Sequence, residues 1–160
     1  MSYVVKQCRD LPGHELFQYV DGEGNRQGVG SGDINTYVRE ATGQEFTTKD
    51  FRTWWASVLA VTALREMQPG RTRRQSEKNV VVAIDAVAGF LGNTRSVCRK
   101  SYVHPGVIDC YVDGTLAGIL DRGPKAPAKA AAGLRADEVA LLHVLRCLRH
   151  KEPVSSAMAS

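Results

Sequence analysis

The sequence is short of the features by which many functions announce themselves. It has four cysteines in 160 residues, Cys8, Cys98, Cys110 and Cys147, and no two form a CxxC pair. The four histidines, His14, His104, His143 and His150, stand apart from them. This spacing argues against a zinc site, and the low cysteine density argues against a disulfide framework. No GK[ST] follows the glycine-rich run Asp21–Asp33, which rules out a P-loop. The acidic spacing in that run does not suit an EF-hand either. No run of about 18 apolar residues exists to span a membrane, and the first residues lack an apolar segment followed by a small-residue cleavage site. The expectation is a cytoplasmic protein with reduced thiols, no metal and no membrane partner.

Excess charge of one sign is scarce too. Lys and Arg number 21 against 17 acidic residues, a formal net charge of +4. That is compatible with a nucleic-acid partner and far short of proof of one. What is present is ordinary for a globular chain: 43% apolar and 24% charged residues, at a length that buries a real core.

Helical periodicity dominates, so the expected class is mainly α, with at most a short β element near the N-terminus. The segment "LFQYV" reads as a short strand before a glycine-rich hairpin turn or loop. Asp33 reads as the cap of a short helix with Ile34, Tyr37, Val38 and Ala41 on one face and Gly43 at its end. Thr47 or Thr48 caps a second helix, with Phe51, Trp55, Val58, Leu59 and Thr62 as its apolar stripe, ending at Gln68-Pro69-Gly70. "GRTRRQSEKN" reads as a basic loop, and Ser76 as the cap of a third helix burying Val80, Ile84, Val87, Ala88 and Leu91 before Gly92. Thr94 caps a short fourth helix leading to Tyr102. Pro105 opens a fifth, closed by Gly114. Residues 121–134, rich in alanine, proline and lysine, read as a linker between a main unit, 1–120, and a last helix, 135–150. That helix carries Val139, Leu142, Leu145 and Leu148 on one face, and 151–160 form a tail.

Three residues have a chemical reading beside a structural one. Tyr102 is a packing residue at a helix end, or a nucleophile; a phenol ionises near about pH 10 and attacks poorly unaided. Arg99 and Lys100 beside it are a solvated helix end, or phosphate neighbours. Arg52 is a cation at the edge of an aromatic face, or a guanidinium fork for phosphate oxygens, with Lys49 three residues earlier on its face. Asn93 is a helix terminator, or an amide donor to phosphate.

The combination is more specific than its parts. "KDFRTWWASVLA" followed by "LGNTRSVCRKSYVHPGVIDCYVDG" resembles the C-terminal part of the catalytic domain of type IB DNA topoisomerases, of the small bacterial and viral kind. The upstream segment from "DLPGHELFQYVDGEGN" to "INTYVREATGQEFT" resembles the bacterial branch, so the likeness runs roughly from Cys8 to Gly114. The resemblance implies the helical portion of the fold shared with tyrosine recombinases. It also implies DNA relaxation through a 3′-phosphotyrosyl link, without metal or ATP, on double-stranded DNA and with a nucleoid-associated location. On it, Tyr102 matches the nucleophile, Arg52 the second catalytic arginine, and Lys49 the basic residue that often precedes it. Asn93 matches a position that is histidine in many relatives and asparagine in bacterial ones. Recombinases usually carry HxxR where this chain has "KDFR", which favours the topoisomerase. Arg71, Arg73, Arg74, Arg95, Arg99 and Lys100 are the expected phosphate neighbours.

The family's first arginine and its general-acid lysine lie upstream of the segment that aligns, and Lys6 is not assigned to either role. The expectation is therefore a polypeptide nearly inactive alone: a piece cut from a longer enzyme, a naturally short reading frame, or one chain of a split enzyme. A non-catalytic DNA-binding remnant and a recombinase fragment are the alternatives. The spatial expectation is that folding brings the Tyr102 phenol and the Arg52 guanidinium to opposite sides of a phosphate-sized space.

Overall fold

The computed structural model describes residues 17–67, 69–124 and 133–151. The first sixteen residues, most of the linker at 125–132 and the tail from 152 lie outside the described residues, as do the readings made of them. The chain divides into two compact units, Met1–Asp50 and Phe51–Ser160. Among the described residues, seven helices and one two-stranded sheet occur, so the class is mainly α.

In the first unit, β1 (Gln18–Val20) and β2 (Arg26–Gly28) pair antiparallel, with Gln18 opposite Gly28 and Val20 opposite Arg26. Asp21 builds the turn between them. Its carboxylate accepts from the backbone N–H of Glu23 at 3.0 Å and of Asn25 at 2.8 Å, and from the Gln27 amide at 3.0 Å. These bonds, Gln27's first, hold the exposed carboxyl below its usual range. Gly24, at φ 86°, supplies the left-handed residue of the turn.

Helix α1 spans Ser31–Thr42 and begins earlier than the sequence suggests. Gly30 is the N-cap, and Asp33, at the third helical position, accepts from the Gly30 N–H at 2.8 Å. Asp33 thus reaches back to the start rather than capping it. The face expected to be buried is not: Ile34 is 40% and Tyr37 69% exposed, and no α1 residue is buried.

Helix α2 spans Thr48–Glu66 and runs from the first unit into the second. Thr47 precedes it, and the Asp50 carboxylate accepts from the Thr47 N–H at 2.8 Å and hydroxyl at 2.7 Å. The buried stripe is Ala56, Ser57, Val58, Ala60, Val61 and Leu64. Of the stripe read from the sequence, only Val58 is fully buried, and Phe51 is half exposed. Small and apolar residues occur all round this helix, so periodicity alone does not fix its phase.

Helix α3, Arg73–Leu91, starts within the run read as a basic loop. Thr72, not Ser76, is its cap, accepting from Gln75 N–H at 3.2 Å, and Ser76 is buried in the first turns. Val80, Ile84, Val87 and Ala88 face the core as expected. Helices α4 (Arg95–Ser101) and α5 (Pro105–Val112) follow, capped by Thr94 and His104. A helix absent from the sequence reading, α6 (Thr115–Asp121), buries Leu116 and Ile119 after the left-handed Gly114. The last, α7 (Ala136–Lys151), presents Val139, Leu141 and Val144 to the core, while Leu142 is only half-buried.

The core of the second unit gathers Val58, Val61, Ile84, Val107, Ile119, Leu141 and Val144 from these helices, each almost fully buried. Burial of side chains of this size contributes about 1.5–3 kcal/mol each, and so fixes where α2, α3, α5, α6 and α7 meet.

Candidate active site

Arg52, Asn93 and Tyr102 come from three places in the second unit and meet at the end of α3. That end is where a cation belongs. The last carbonyls of a helix have no partner within it, and they form the negative pole of its dipole. Gly92 turns left-handed at φ 65°, and the N–H groups of Gly92 and Asn93 both go to the Ala88 carbonyl. The Leu91 carbonyl is left for others. Arg52, on the second turn of α2, donates Nη2 to it at 3.1 Å, and the Asn93 side-chain amide reaches the same oxygen at 3.5 Å.

Helix α4 then delivers the tyrosine. Thr94 accepts from Val97 N–H at 3.3 Å and starts the helix; buried Cys98 anchors it. The Cys98 carbonyl accepts from the N–H groups of both Tyr102, at 3.1 Å, and Val103, at 2.9 Å. Tyr102 is the C-cap residue, half-buried, and its ring lies 5.2 Å from the Arg52 guanidinium carbon, within cation–π range. The expected neighbours are therefore together, but the guanidinium stacks on the ring.

The charge of Arg52 is only partly satisfied. Its Nε is buried and has no hydrogen-bond partner among the described residues. A buried N–H left unpaired is costly, and a guanidinium has a second donor edge suited to a bidentate acceptor. The field of Arg52 also reaches Cys98, whose thiol burial pushes above its usual range while Arg52 pulls it partly back. Among the described residues, no group of three or more His, Cys, Asp or Glu side chains is placed to hold a metal.

The remaining predicted residues separate. Lys49 is exposed on the first turn of α2 and belongs to the first unit. Arg99 and Lys100 are exposed on the last turn of α4, immediately before Tyr102. Arg95 is paired: its guanidinium grips Asp85 through two bonds, one of 2.6 Å, which raises its already high pKa. Arg71, Arg73 and Arg74 lie at the opposite end of α3, which helix geometry makes about 28 Å long, and Arg73 is paired with Glu77 at 3.2 Å. That far end also holds a cleft of about 840 Å³, lined by Leu64, Arg71, Leu116, Ala140 and His143.

Two partners of the cluster escaped the sequence reading. The Leu91 carbonyl is backbone and carries no residue signal. Ser57 is buried on α2 and accepts from the His104 N–H at 3.0 Å. Its only signal was one hydroxyl in an apolar stretch.

Comparison with known proteins gives the family. The family profile described as "Eukaryotic DNA topoisomerase I, catalytic core" matches residues 2–114, a span that holds Arg52, Asn93 and Tyr102. A curated relative, "DNA topoisomerase 1B" of Acanthamoeba polyphaga mimivirus, is 37% identical over 114 residues, covering 67% of this chain. The chain spans about a third of that relative's length, 34%. With most of its length matched and the cluster inside the match, the chain belongs to the type IB DNA topoisomerase family.

Proposed function

We propose that this chain carries part of the strand-transfer site of a DNA topoisomerase. The Tyr102 phenol oxygen attacks the phosphorus of a phosphodiester in double-stranded DNA, giving up its proton. A 3′-phosphotyrosyl bond forms and the 5′-oxygen leaves as a hydroxyl. The duplex swivels about the uncut strand. The hydroxyl then attacks the phosphotyrosyl bond, restoring both DNA and phenol, so supercoils are lost with no net covalent change.

The carrying observation is the Arg52 guanidinium on the Tyr102 ring with its buried Nε unpartnered. A phosphate supplies the counter-charge that this cation lacks among the described residues. In the reaction Arg52 and the Asn93 amide hold the non-bridging oxygens, where charge concentrates in transfer. Arg99 and Lys100 steer the backbone towards Tyr102. Fixed cations and amides in these roles suit a reaction without metal or ATP, carried out in the cytoplasm and on the nucleoid.

No residue of this chain is assigned to the leaving oxygen's general acid or to the family's first arginine. A site working without that acid reacts roughly 10²–10⁴-fold more slowly, and one without that clamp a further ~10²–10³-fold more slowly. Relaxation at a useful rate therefore needs both groups, from whichever segment or chain supplies them.

A substrate whose leaving group needs no proton tests the reading directly. A duplex ending in a 3′-(4-nitrophenyl) phosphodiester loses nitrophenolate as the tyrosyl bond forms. The expected result is slow nitrophenolate release matched by a detergent-stable protein–DNA band, both absent in Tyr102→Phe. Binding of the duplex without either product would identify a non-catalytic DNA-binding relative instead.

A further inference from the structure

One hydroxyl joins the helix that carries Arg52 to the chain that carries Tyr102. Ser57 is 3% exposed and sits among Ala56, Val58, Ala60 and Val61, where every neighbour in the stripe is apolar. Its Oγ donates to the Thr53 carbonyl at 2.9 Å, one turn back and adjacent to Arg52. It accepts from the His104 N–H at 3.0 Å, two residues beyond Tyr102. The Tyr102 carbonyl lies at 3.5 Å from the same Oγ, the alternative acceptor for its proton.

The geometry at Tyr102 gives this bridge its importance. Helix α4 has ended, and the backbone turns at φ −125°, ψ −38° before α5 begins at Pro105. Two donors of the turn, the Tyr102 and Val103 N–H groups, are held from within α4 by the Cys98 carbonyl. Those bonds fix the tyrosine relative to its own helix. The Ser57 bridge ties the same turn to α2. It sets the distance between the Tyr102 ring and a guanidinium that is rooted one residue before Thr53.

We infer that Ser57 is a positioning residue for Tyr102: its hydroxyl fixes the Tyr102–His104 turn against α2 and so holds the phenol in register with Arg52. The inference rests on the reading of Tyr102 as the nucleophile, and it deepens that reading. Without the hydroxyl, the part-buried His104 N–H loses its acceptor and the tie between this turn and α2 is broken. A displacement of about 1 Å at a reacting atom lowers a rate on the order of 10²-fold.

The test uses the full chain with Ser57→Ala and Ser57→Thr, at a temperature where circular dichroism shows both folded. The activated nitrophenyl duplex reports the rate, fluorescence anisotropy of the same duplex reports affinity, and hydrogen exchange reports the His104 amide. The expected result for Ser57→Ala is release slowed roughly 10- to 100-fold at saturating DNA. DNA affinity stays within about twofold of the parent, since the hydroxyl touches no ligand group. His104 exchange accelerates in Ala, while Thr, which keeps the oxygen, recovers both rate and protection. A Ser57→Ala chain as fast as the parent, or one whose loss appears only as weaker DNA binding, overturns the inference. If the parent releases no nitrophenolate in a Tyr102-dependent way, the functional reading fails separately. The His104 exchange and the ring resonances of Tyr102 then decide the positional role alone, and no change in either on Ser57→Ala overturns it.

Discussion

Arg52 lies over the ring of Tyr102, 5.2 Å from its centre, while donating to the carbonyl that ends α3. One cation thus joins α2, the end of α3 and the end of α4. Replacing it separates charge from shape. Arg52→Lys keeps the charge and loses the planar fork; Arg52→Gln keeps donors and loses the charge. Both are expected to slow adduct formation about 10²–10³-fold on the activated duplex, with DNA affinity changed far less. Equal loss of rate and affinity would place Arg52 in binding alone.

The ion pairs divide the basic residues into those exposed beside the cluster and those already engaged. Asp85 neutralises Arg95, whereas Arg99 and Lys100 are exposed beside Tyr102. Arg99→Ala and Lys100→Ala are each expected to weaken DNA binding and to lower the slope of log affinity against log salt by about one. Arg95→Ala should change that slope less, and Asp85→Asn should strengthen binding by freeing Arg95. Titrations at several salt concentrations measure all four. A flat salt response would remove the phosphate backbone from the account.

Acid is expected to loosen the attachment of α7 to α2. The Glu138 carboxylate accepts from the Arg135 N–H at 3.0 Å and from the Trp54 indole at 2.9 Å, and these bonds, Arg135's first, lower its pKa against burial. Asp137 is lowered too, chiefly by its bond from Arg135. A carboxyl whose folded pKa is depressed stabilises the fold fully above its unfolded value. That contribution disappears as pH falls through the lower folded value. Tryptophan fluorescence should therefore change as pH drops below about 4. Glu138→Gln should remove much of that change, because its side chain does not titrate. A profile identical to the parent's would show that the Trp54 contact does not report on Glu138.

Stability should follow burial. Leu141, fully buried on α7, is expected to lose about 2–5 kcal/mol on replacement by Ala. Phe90, 69% exposed on α3, should lose no more than ~0.5 kcal/mol. Urea unfolding of the two variants gives the comparison, and similar losses would place Phe90 in a buried contact.

What could be read in advance follows from where the information resides. Caps are written in residue type, as side-chain acceptors or as backbone freedom, so Thr94, Pro105, Gly43 and Gly92 marked true helix ends. The start of α3 was missed because charged residues run through its first turn and Thr72 precedes them without an apolar signal. The phase of α2 was misplaced because bulky Phe51 and Trp55 draw the eye, whereas small Ala56, Ser57 and Ala60 let its neighbours approach. Helix α6 was missed because "TLAGIL" is too short to show a period. In the cluster, Arg52, Asn93 and Tyr102 stood out through a resemblance spread over many positions. The Leu91 carbonyl had no residue type to betray it. Ser57 in mid-helix reads as neutral until its distant partner at His104 is seen.

The central claim concerns one oxygen atom, and mapping the bond it forms tests it most directly. The 160-residue chain is incubated with the 3′-(4-nitrophenyl) duplex, denatured, digested with nuclease and protease, and sequenced by mass spectrometry. The account predicts a single nucleotide-bearing peptide containing "SYVHP", with the phosphoryl group on Tyr102 and none in Tyr102→Phe. A phosphoryl group on another residue, or none after release of nitrophenolate, would contradict it.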